Sequence, residues 1–145
     1  MNDALQLWFI TDGRPGHANQ LKGLAERLAS KRRCEIHWLD ISRQPLRKTG
    51  RRGLMAQFGA QQLPQWVIAA GSRCHLPLLW TSAVCRARSI VLMKPSLPRC
   101  LFDVAIIPEH DSPPNSPKIL ATRGVLNVMQ PIHSGRDAGR GLVVL

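Results

Sequence analysis

The feature that most constrains the fold of this 145-residue chain is the alternation of short apolar runs with segments of helical periodicity. Strands are predicted at residues 5–10, 34–41, 66–70, 89–93 and 102–107, with a shorter sixth strand at residues 118–121. Strands that alternate with helices in units of about 30 residues indicate a parallel sheet that is covered on both faces. The predicted fold class is therefore α/β, a Rossmann-like, mostly parallel sheet with helices on both faces.

Residues 17–30 space their apolar residues as an amphipathic helix does. Two further helices are predicted at residues 54–63 and 73–86. Pro64 is expected to end the second helix, and Pro77 must lie in the first turn of the third helix, where proline is tolerated.

The chain length allows one domain. Residues 1–133 are predicted to form this N-terminal Rossmann-like domain. Residues 134–141 (SGRDAGRG) look like a linker, and residues 142–145 begin a further apolar strand. We therefore expect residues 134–145 to be the linker and first strand of a second domain that the sequence does not contain.

The charge balance is strongly basic, with 20 Lys and Arg against nine Asp and Glu. A net charge of +11 attracts nucleic acid, anionic lipid or a phosphorylated substrate. Residues 43–52 carry five cations and no acid, which fits either a solvated loop or a contact with anionic lipid headgroups. No specific nucleic-acid partner is expected, because the chain has no Tyr and only three Phe for base stacking.

Four cysteines lie far apart in the sequence, without a C-x-x-C pair, so no metal site and no cofactor are expected. The first residues lack the basic start and long apolar stretch of a signal peptide, and no apolar run approaches the roughly 20 residues of a membrane span. The sequence thus predicts a cytoplasmic protein with free thiols. The basic loop extends this prediction to a peripheral position at the inner membrane.

Ligands of open parallel sheets bind beyond the carboxyl ends of the strands, and four polar segments fall at such ends. The first segment is residues 11–20 (TDGRPGHANQ). Gly13 and Gly16 would let the backbone turn and approach a ligand, and the helix start offers N–H groups to a phosphate or carboxylate. Arg14 and His17 add donors. The alternative is an ordinary strand-to-helix turn, since the segment matches neither the dinucleotide fingerprint nor the Walker loop.

The second segment, Gly71-Ser72-Arg73, follows the third predicted strand. Gly71 permits close approach, Ser72 could cap a helix, and Arg73 could pair with a phosphate. Helix capping beside a solvated arginine is an equally good interpretation.

The third segment contains Glu109, His110 and Asp111, which could transfer protons or contact a ligand. Adjacent residues seldom converge on one metal, and loops are often polar without a function. The fourth segment is Thr122-Arg123-Gly124, in which Thr122 would cap a helix or contact a ligand. A simple turn explains this segment as well.

Four stretches, taken in order, resemble one family: ITDGRPGHANQLKGLAERL, WVIAAGSRCHLPLLW, IVLMKPSLPRCLFDVAIIPEHD and ILATRGVLNVM. This is the bacterial family named after the plant mitochondrial-fission factor "elongated mitochondria", whose members are also labelled predicted nucleoside-diphosphate-sugar epimerases. The resemblance extends from Leu5 to Met129. The epimerase label finds no support in the first loop, which lacks the fingerprint of a bound dinucleotide.

Members of that family look like glycosyltransferases of the B type, which have two Rossmann domains and resemble the enzyme that adds N-acetylglucosamine in peptidoglycan synthesis. The resemblance implies that this chain is the N-terminal, acceptor-side half, whose first loop faces the cleft between the domains. It places the following residues along that cleft: Asp12, Gly13, Arg14, Gly16, His17, Asn19, Gln20, Gly71, Ser72, Arg73, Glu109, His110, Asp111, Thr122, Arg123 and Gly124. His17 would act as a base or orient an acceptor hydroxyl.

The resemblance thus implies the acceptor half of a nucleotide-sugar-dependent glycosyltransferase-like protein, which does not turn over without its C-terminal donor half. Its partner would be a phosphorylated or sugar-lipid small molecule, and a nucleotide sugar would be the co-substrate of the complete protein. The alternative is a non-catalytic, membrane-associated binding or scaffold protein of the same family.

Overall fold

The structure is a computed structural model that describes residues 4–129. All six strands in this range pair in parallel in one sheet. The strands are β1 (Leu5–Thr11), β2 (Cys34–Asp40), β3 (Trp66–Ala70), β4 (Arg88–Leu92), β5 (Val104–Pro108) and β6 (Ile119–Thr122). The helices are α1 (Pro15–Lys31), α2 (Arg51–Phe58) and α3 (His75–Cys85).

The strand order is β2-β1-β3-β4-β5-β6. The chain therefore builds outward from β1 to β2, and then crosses back over β1 and builds the sheet in the other direction. This reversal places the topological switch point between β1 and β3. In parallel sheets the loops that leave the carboxyl ends of such a strand pair diverge and open a crevice for ligands.

The core consists of two layers, one on each face of the sheet, because successive side chains of a strand point to opposite faces. Leu7 and Phe9 of β1 belong to the layer under α1, together with the buried Leu21. Trp8 belongs to the layer under α2 and α3, where its ring stacks on Phe58 at 4.3 Å between centroids. Helices thus cover both faces, and the predicted α/β fold class is confirmed.

The second helix lies earlier in the chain than predicted. It begins at Arg51, inside the segment predicted to be a loop, and it ends at Phe58 rather than at Pro64. Gly59 follows in the left-handed conformation, with φ 62°, and its N–H donates to the carbonyl of Ala56. A glycine adopts this conformation without steric cost, so the helix stops six residues before the proline.

The first helix begins at Pro15, two residues before the predicted start, with the proline in the position where its missing N–H costs nothing. Pro77 lies in the first turn of α3 as predicted. Most other element ends differ from the prediction by one or two residues. The predicted linker and strand at residues 134–145 lie outside the described residues.

The segment after β6 crosses α1. Leu126 packs into the core layer under α1. A Cβ added at Gly23 in the middle of α1 would overlap the carbonyl oxygen of Asn127. The absence of a side chain at Gly23 therefore lets the main chain of this segment lie directly on the helix.

Candidate functional site

A buried carboxylate and a partly exposed imidazole form a pair directly after β1. The Asp12 side chain is 2% exposed, and Nδ1 of His17 lies 3.0 Å from each of its two carboxylate oxygens. The His17 side chain is 22% exposed. An ionised carboxylate only accepts hydrogen bonds, so Nδ1 carries the proton and donates it. In the neutral ring, Nε2 is then the basic atom.

The turn between β1 and α1 is held by its own side chains. The Arg14 N–H donates to Asp12 Oδ1 at 3.2 Å, and the Gly13 N–H donates to the hydroxyl of Thr11 at 3.2 Å. The Arg14 Nε lies 3.8 Å from Asp12 Oδ2, while 63% of that arginine side chain is exposed. The charge of Asp12 already complements the positive end of α1, so an anion bound here would share the helix start with it.

Of the two loop glycines, only Gly13 makes a close approach. Its φ is +76°, and a Cβ there would lie 2.5 Å from the hydroxyl oxygen of Ser42. Ser42 donates to Asp40 Oδ1, and this hydrogen bond is the main reason that the pKa of Asp40 lies below its ordinary value. Gly16 was predicted to turn the backbone, which is wrong: it lies in the first turn of α1, with nothing within 4 Å of an added Cβ.

Gly71, at the end of β3, closes over the Asp12–His17 pair. Its φ is +94°, and a Cβ there would lie 2.5 Å from His17 Nδ1 and 2.8 Å from Asp12 Oδ2. The structure thus brings the first two predicted segments together at the β1/β3 switch point. The prediction that Ser72 caps a helix is wrong, because Ser72 is itself the first residue of a 3₁₀ turn at Ser72–Cys74. Arg73 lies exposed in the same turn.

The first helix also reaches the end of β4. Gln20 is buried, and its Nε2 donates to the sulfur of Met93 at 3.2 Å. Met93 follows β4 directly and has φ 69°, a conformation that residues other than glycine seldom adopt. Asn19 is half-buried on α1 beside Gln20.

The third and fourth segments form a second group. Pro108 pairs with Thr122 across β5 and β6, so the 3₁₀ turn at Glu109–Asp111 lies next to the turn after β6. In the first of these turns, His110 Nε2 lies 3.8 Å from Asp111 Oδ1, with Glu109 exposed beside them. Strands are about 4.8 Å apart and β4 lies between, so the ends of β3 and β5 are separated by about 10 Å.

Thr122 closes a turn and caps no helix among residues 4–129. Its hydroxyl donates to the carbonyl of Gly124 at 2.7 Å, with Arg123 exposed between them. The structure thus shows a turn without a helix cap in this segment, and the contact of Thr122 with a ligand stays a prediction.

The sequence pointed to four of the six strand ends and missed those of β2 and β4. Asp40 is the last residue of β2, Ser42 follows that strand, and Met93 follows β4. The same strand-end rule would have found them. A further missed pair lies nearby, where the hydroxyl oxygen of Ser96 is 3.1 Å from His75 Nδ1 and burial lowers the pKa of His75.

Between residues 4 and 129, no three His, Cys, Asp or Glu side chains are grouped to hold a metal ion. No helix in that range has the length and apolar character needed to span a membrane.

The parallel sheet, its two helical layers and the polar pair at the switch point define an α/β protein of the Rossmann-like class. The chain matches the family described as Mitochondrial fission ELM1 over residues 15–139, which is most of its length. It therefore belongs to that family, as the resemblance of its motifs predicted. No curated protein and no solved structure matched the chain.

Proposed function

We propose that this chain forms the acceptor side of a nucleotide-sugar-dependent glycosyltransferase-like protein, in which His17 is the base that takes the acceptor's proton. The observation that supports the proposal is the contact of His17 Nδ1 with both oxygens of the buried Asp12 at 3.0 Å. A carboxylate in this position orients the ring, leaves Nε2 free to accept a proton, and stabilises the imidazolium that forms.

The proposed step moves one proton and exchanges one bond. The acceptor hydroxyl gives its proton to His17 Nε2, its oxygen bonds to the anomeric carbon of the donor sugar, and the bond from that carbon to the nucleoside diphosphate breaks. The donor nucleotide is assigned to the C-terminal half that the family resemblance implies.

Cations next to the pair suit an acceptor that carries a phosphate. Arg14 is mostly exposed, and Arg73 is exposed at the end of β3. The first main-chain hydrogen bond of α1 runs from the Ala18 N–H to the Arg14 carbonyl, so the N–H groups of Gly16 and His17 precede the helical ladder. These groups together would bind the phosphate of a phosphorylated or lipid-linked sugar.

The second group of predicted residues lies further along the same edge of the sheet. Glu109, His110 and Asp111 follow β5, and Thr122, Arg123 and Gly124 follow β6. The end of β1, which carries Asp12, is three strand spacings from the end of β5 and four from the end of β6, or about 14 and 19 Å. These residues are therefore assigned to the far end of an acceptor longer than one sugar unit.

The test is performed on the protein expressed from its complete reading frame. Calorimetry with UDP, GDP and ADP sugars is expected to show binding of one of them, and H17Q is expected to retain it. With that donor and a lipid-linked acceptor, H17Q and D12N should lower the transfer rate by about 10²–10⁴-fold, the usual contribution of a positioned base. H37Q is the matched control, because His37 lies within β2 and belongs to neither group of predicted site residues.

Failure to bind any sugar nucleotide would contradict the proposal. So would transfer that H17Q leaves intact. The non-catalytic scaffold hypothesis predicts that neither H17Q nor D12N changes any measured property other than stability.

A further inference from the structure

The exposed side of α3 is apolar. The Leu76 side chain is 71% exposed and the Trp80 side chain is 39% exposed. Residues four apart lie on the same face of a helix, so these two form one stripe. Exposed large apolar side chains that adjoin one another indicate an interaction surface, whereas single ones do not.

A groove runs between this stripe and the segment that follows β2. Its volume is about 600 Å³, and apolar side chains form most of its lining, including Ile41, Pro45, Leu46, Leu76, Leu79 and Trp80. We call it the α3 groove. Lys48 is the one charged residue among its lining side chains.

The outer wall of the α3 groove is held in place by α2. The Gln57 Nε2 donates to the carbonyl of Pro45 at 2.8 Å, and the Arg47 N–H donates to Gln57 Oε1 at 3.1 Å. The groove is thus a formed surface, and its wall belongs to a segment for which the sequence left open a solvated loop or a contact with anionic lipid headgroups.

The part of the sequence that builds the α3 groove is rich in cations. Residues 41–102 contain ten Lys and Arg and no Asp or Glu, which is nearly the whole net charge of +11. Half of these cations lie in the groove's outer wall and the start of α2: Arg43, Arg47, Lys48, Arg51 and Arg52. Arg51 links α2 to α3, because its Nε donates to the Val84 carbonyl of α3 at 2.9 Å.

We propose that the α3 groove and its cationic surroundings are a docking surface for an anionic lipid bilayer. Leu76 and Trp80 enter the boundary between headgroups and acyl chains, where tryptophan is favoured, and the surrounding Lys and Arg pair with lipid phosphates. This inference does not depend on the role proposed for His17.

Charge complementarity favours a bilayer over the other occupants. A second copy of the chain would bring two strongly positive surfaces together, which is unfavourable. A nucleic acid would satisfy the charge but not the aliphatic lining, since bases bind to aromatic platforms. An anionic membrane interface satisfies both the charge and the apolar stripe.

The first experiment measures co-sedimentation of the chain with vesicles of phosphatidylcholine, alone or with about 30 mol % phosphatidylglycerol. Binding is expected with the anionic vesicles only. L76Q should weaken it by about tenfold, the effect of withdrawing one large apolar side chain from the membrane. L120Q is the control, because Leu120 is also exposed but lies on β6 at the far edge of the sheet.

A charge-reversal pair tests the cations. R47E/K48E should weaken binding to anionic vesicles by at least about tenfold, because each cation near such a surface contributes roughly 1 kcal/mol. R27E/K31E is the control, since it changes the same number of charges on α1, which covers the opposite face.

Quenching by brominated lipid locates the inserted side chain. Trp38 and Trp80 are equally exposed at 39%, but Trp38 stacks on Phe9 on the α1 side of the sheet. Bromolipid in anionic vesicles is expected to quench the part of the W38F fluorescence that comes from Trp80, because Trp8 is buried and Trp66 is half-buried. W80F should stay nearly unquenched.

Four outcomes would overturn the proposal. They are binding that is absent, binding that is equal for neutral and anionic vesicles, binding that L76Q leaves unchanged, and quenching that persists in W80F. A concentration-dependent dimer that L76Q dissociates, without vesicle binding, would assign the groove to a second copy instead. Binding to RNA that R47E/K48E abolishes and L76Q does not, again without vesicle binding, would reduce the surface to nonspecific electrostatics.

Discussion

Nδ1 of His17 lies 3.0 Å from both carboxylate oxygens of Asp12, and the backbone of Gly71 closes over the pair. The three residues come from the ends of β1 and β3 and the start of α1, so the strand order brings them together. We derive one prediction from the contact between Asp12 and His17 and another from the position of Gly71.

The carboxylate of Asp12 should determine the tautomer of His17. In the wild-type chain, nitrogen NMR is expected to show neutral His17 protonated at Nδ1. In D12N the amide both donates and accepts, so the preference for this tautomer is lost. D12N should also lower the free energy of unfolding by about 1–3 kcal/mol, because a hydrogen bond to a charged group is removed. A wild-type His17 protonated at Nε2 alone would contradict the assignment.

Alanine at Gly71 should lower the free energy of unfolding more than alanine at Gly59, the glycine that ends α2. G71A combines a positive φ with a Cβ 2.5 Å from His17 Nδ1, and we expect it to cost more than 2 kcal/mol, roughly, of unfolding free energy. Gly59 has φ +62° but open space around a Cβ, so G59A should cost about 1 kcal/mol through backbone conformation alone. Urea denaturation measures both. Equal costs would mean that the contact with His17 is not tight.

Replacing each of two glycines of α1 by alanine should change the free energy of unfolding in opposite directions. G16A is expected to stabilise the chain by about 0.5–1 kcal/mol, since alanine favours helix and nothing lies near its Cβ. G23A gains the same helix propensity, but its Cβ overlaps the Asn127 carbonyl, so a net loss of stability is expected. If G23A stabilised the chain as much as G16A, the segment after β6 would not lie on α1.

Cys74 should make the chain less stable in alkali. Burial, reinforced by the charges of Asp12 and Asp40, raises its pKa from 9.0 to about 12. Above pH 9 the unfolded state loses a proton that the native state keeps, so stability falls as the pH rises. This group alone should cost about 1.4 kcal/mol at pH 10 relative to pH 7.

The measurement compares the unfolding free energies of the wild type and C74A at the two pH values. C74A should show a smaller loss in alkali, whereas C100A, at an exposed cysteine, should behave as the wild type does. An identical loss in C74A would show that Cys74 is not shielded from water.

The sheet, its parallel pairing and its two-sided helical cover follow from the sequence because burial dictates apolar periodicity. The end of α2 did not follow. Both Gly59 and Pro64 stop helices, and the conformation of Gly59 decided between them. For the same reason Gly16 was mistaken for a turn residue: its helical conformation depends on where Pro15 starts the helix.

The sequence identifies part of the residues of the site, but not which of them lie in contact. Asp12, His17 and Gly71 were identified as strand-end residues, but their convergence depends on strand order, which local periodicity does not encode. The α3 groove had no signal in the sequence. The groove forms where the segment after β2 packs beside α3, which is a long-range contact.

The most direct test of the acceptor site is an NMR titration of the chain with methyl glycosides of glucose and N-acetylglucosamine and their 6-phosphates. We expect the amide resonances of residues 12–20 and 71–73 to shift, with the phosphorylated sugars binding more tightly, and the imidazole resonances of His17 to shift with them. H17Q should abolish or strongly weaken the effect, and H110Q should not. Shifts confined to other parts of the chain, or shifts that H17Q leaves unchanged, would contradict the assignment of Asp12, His17 and Gly71 as the acceptor site.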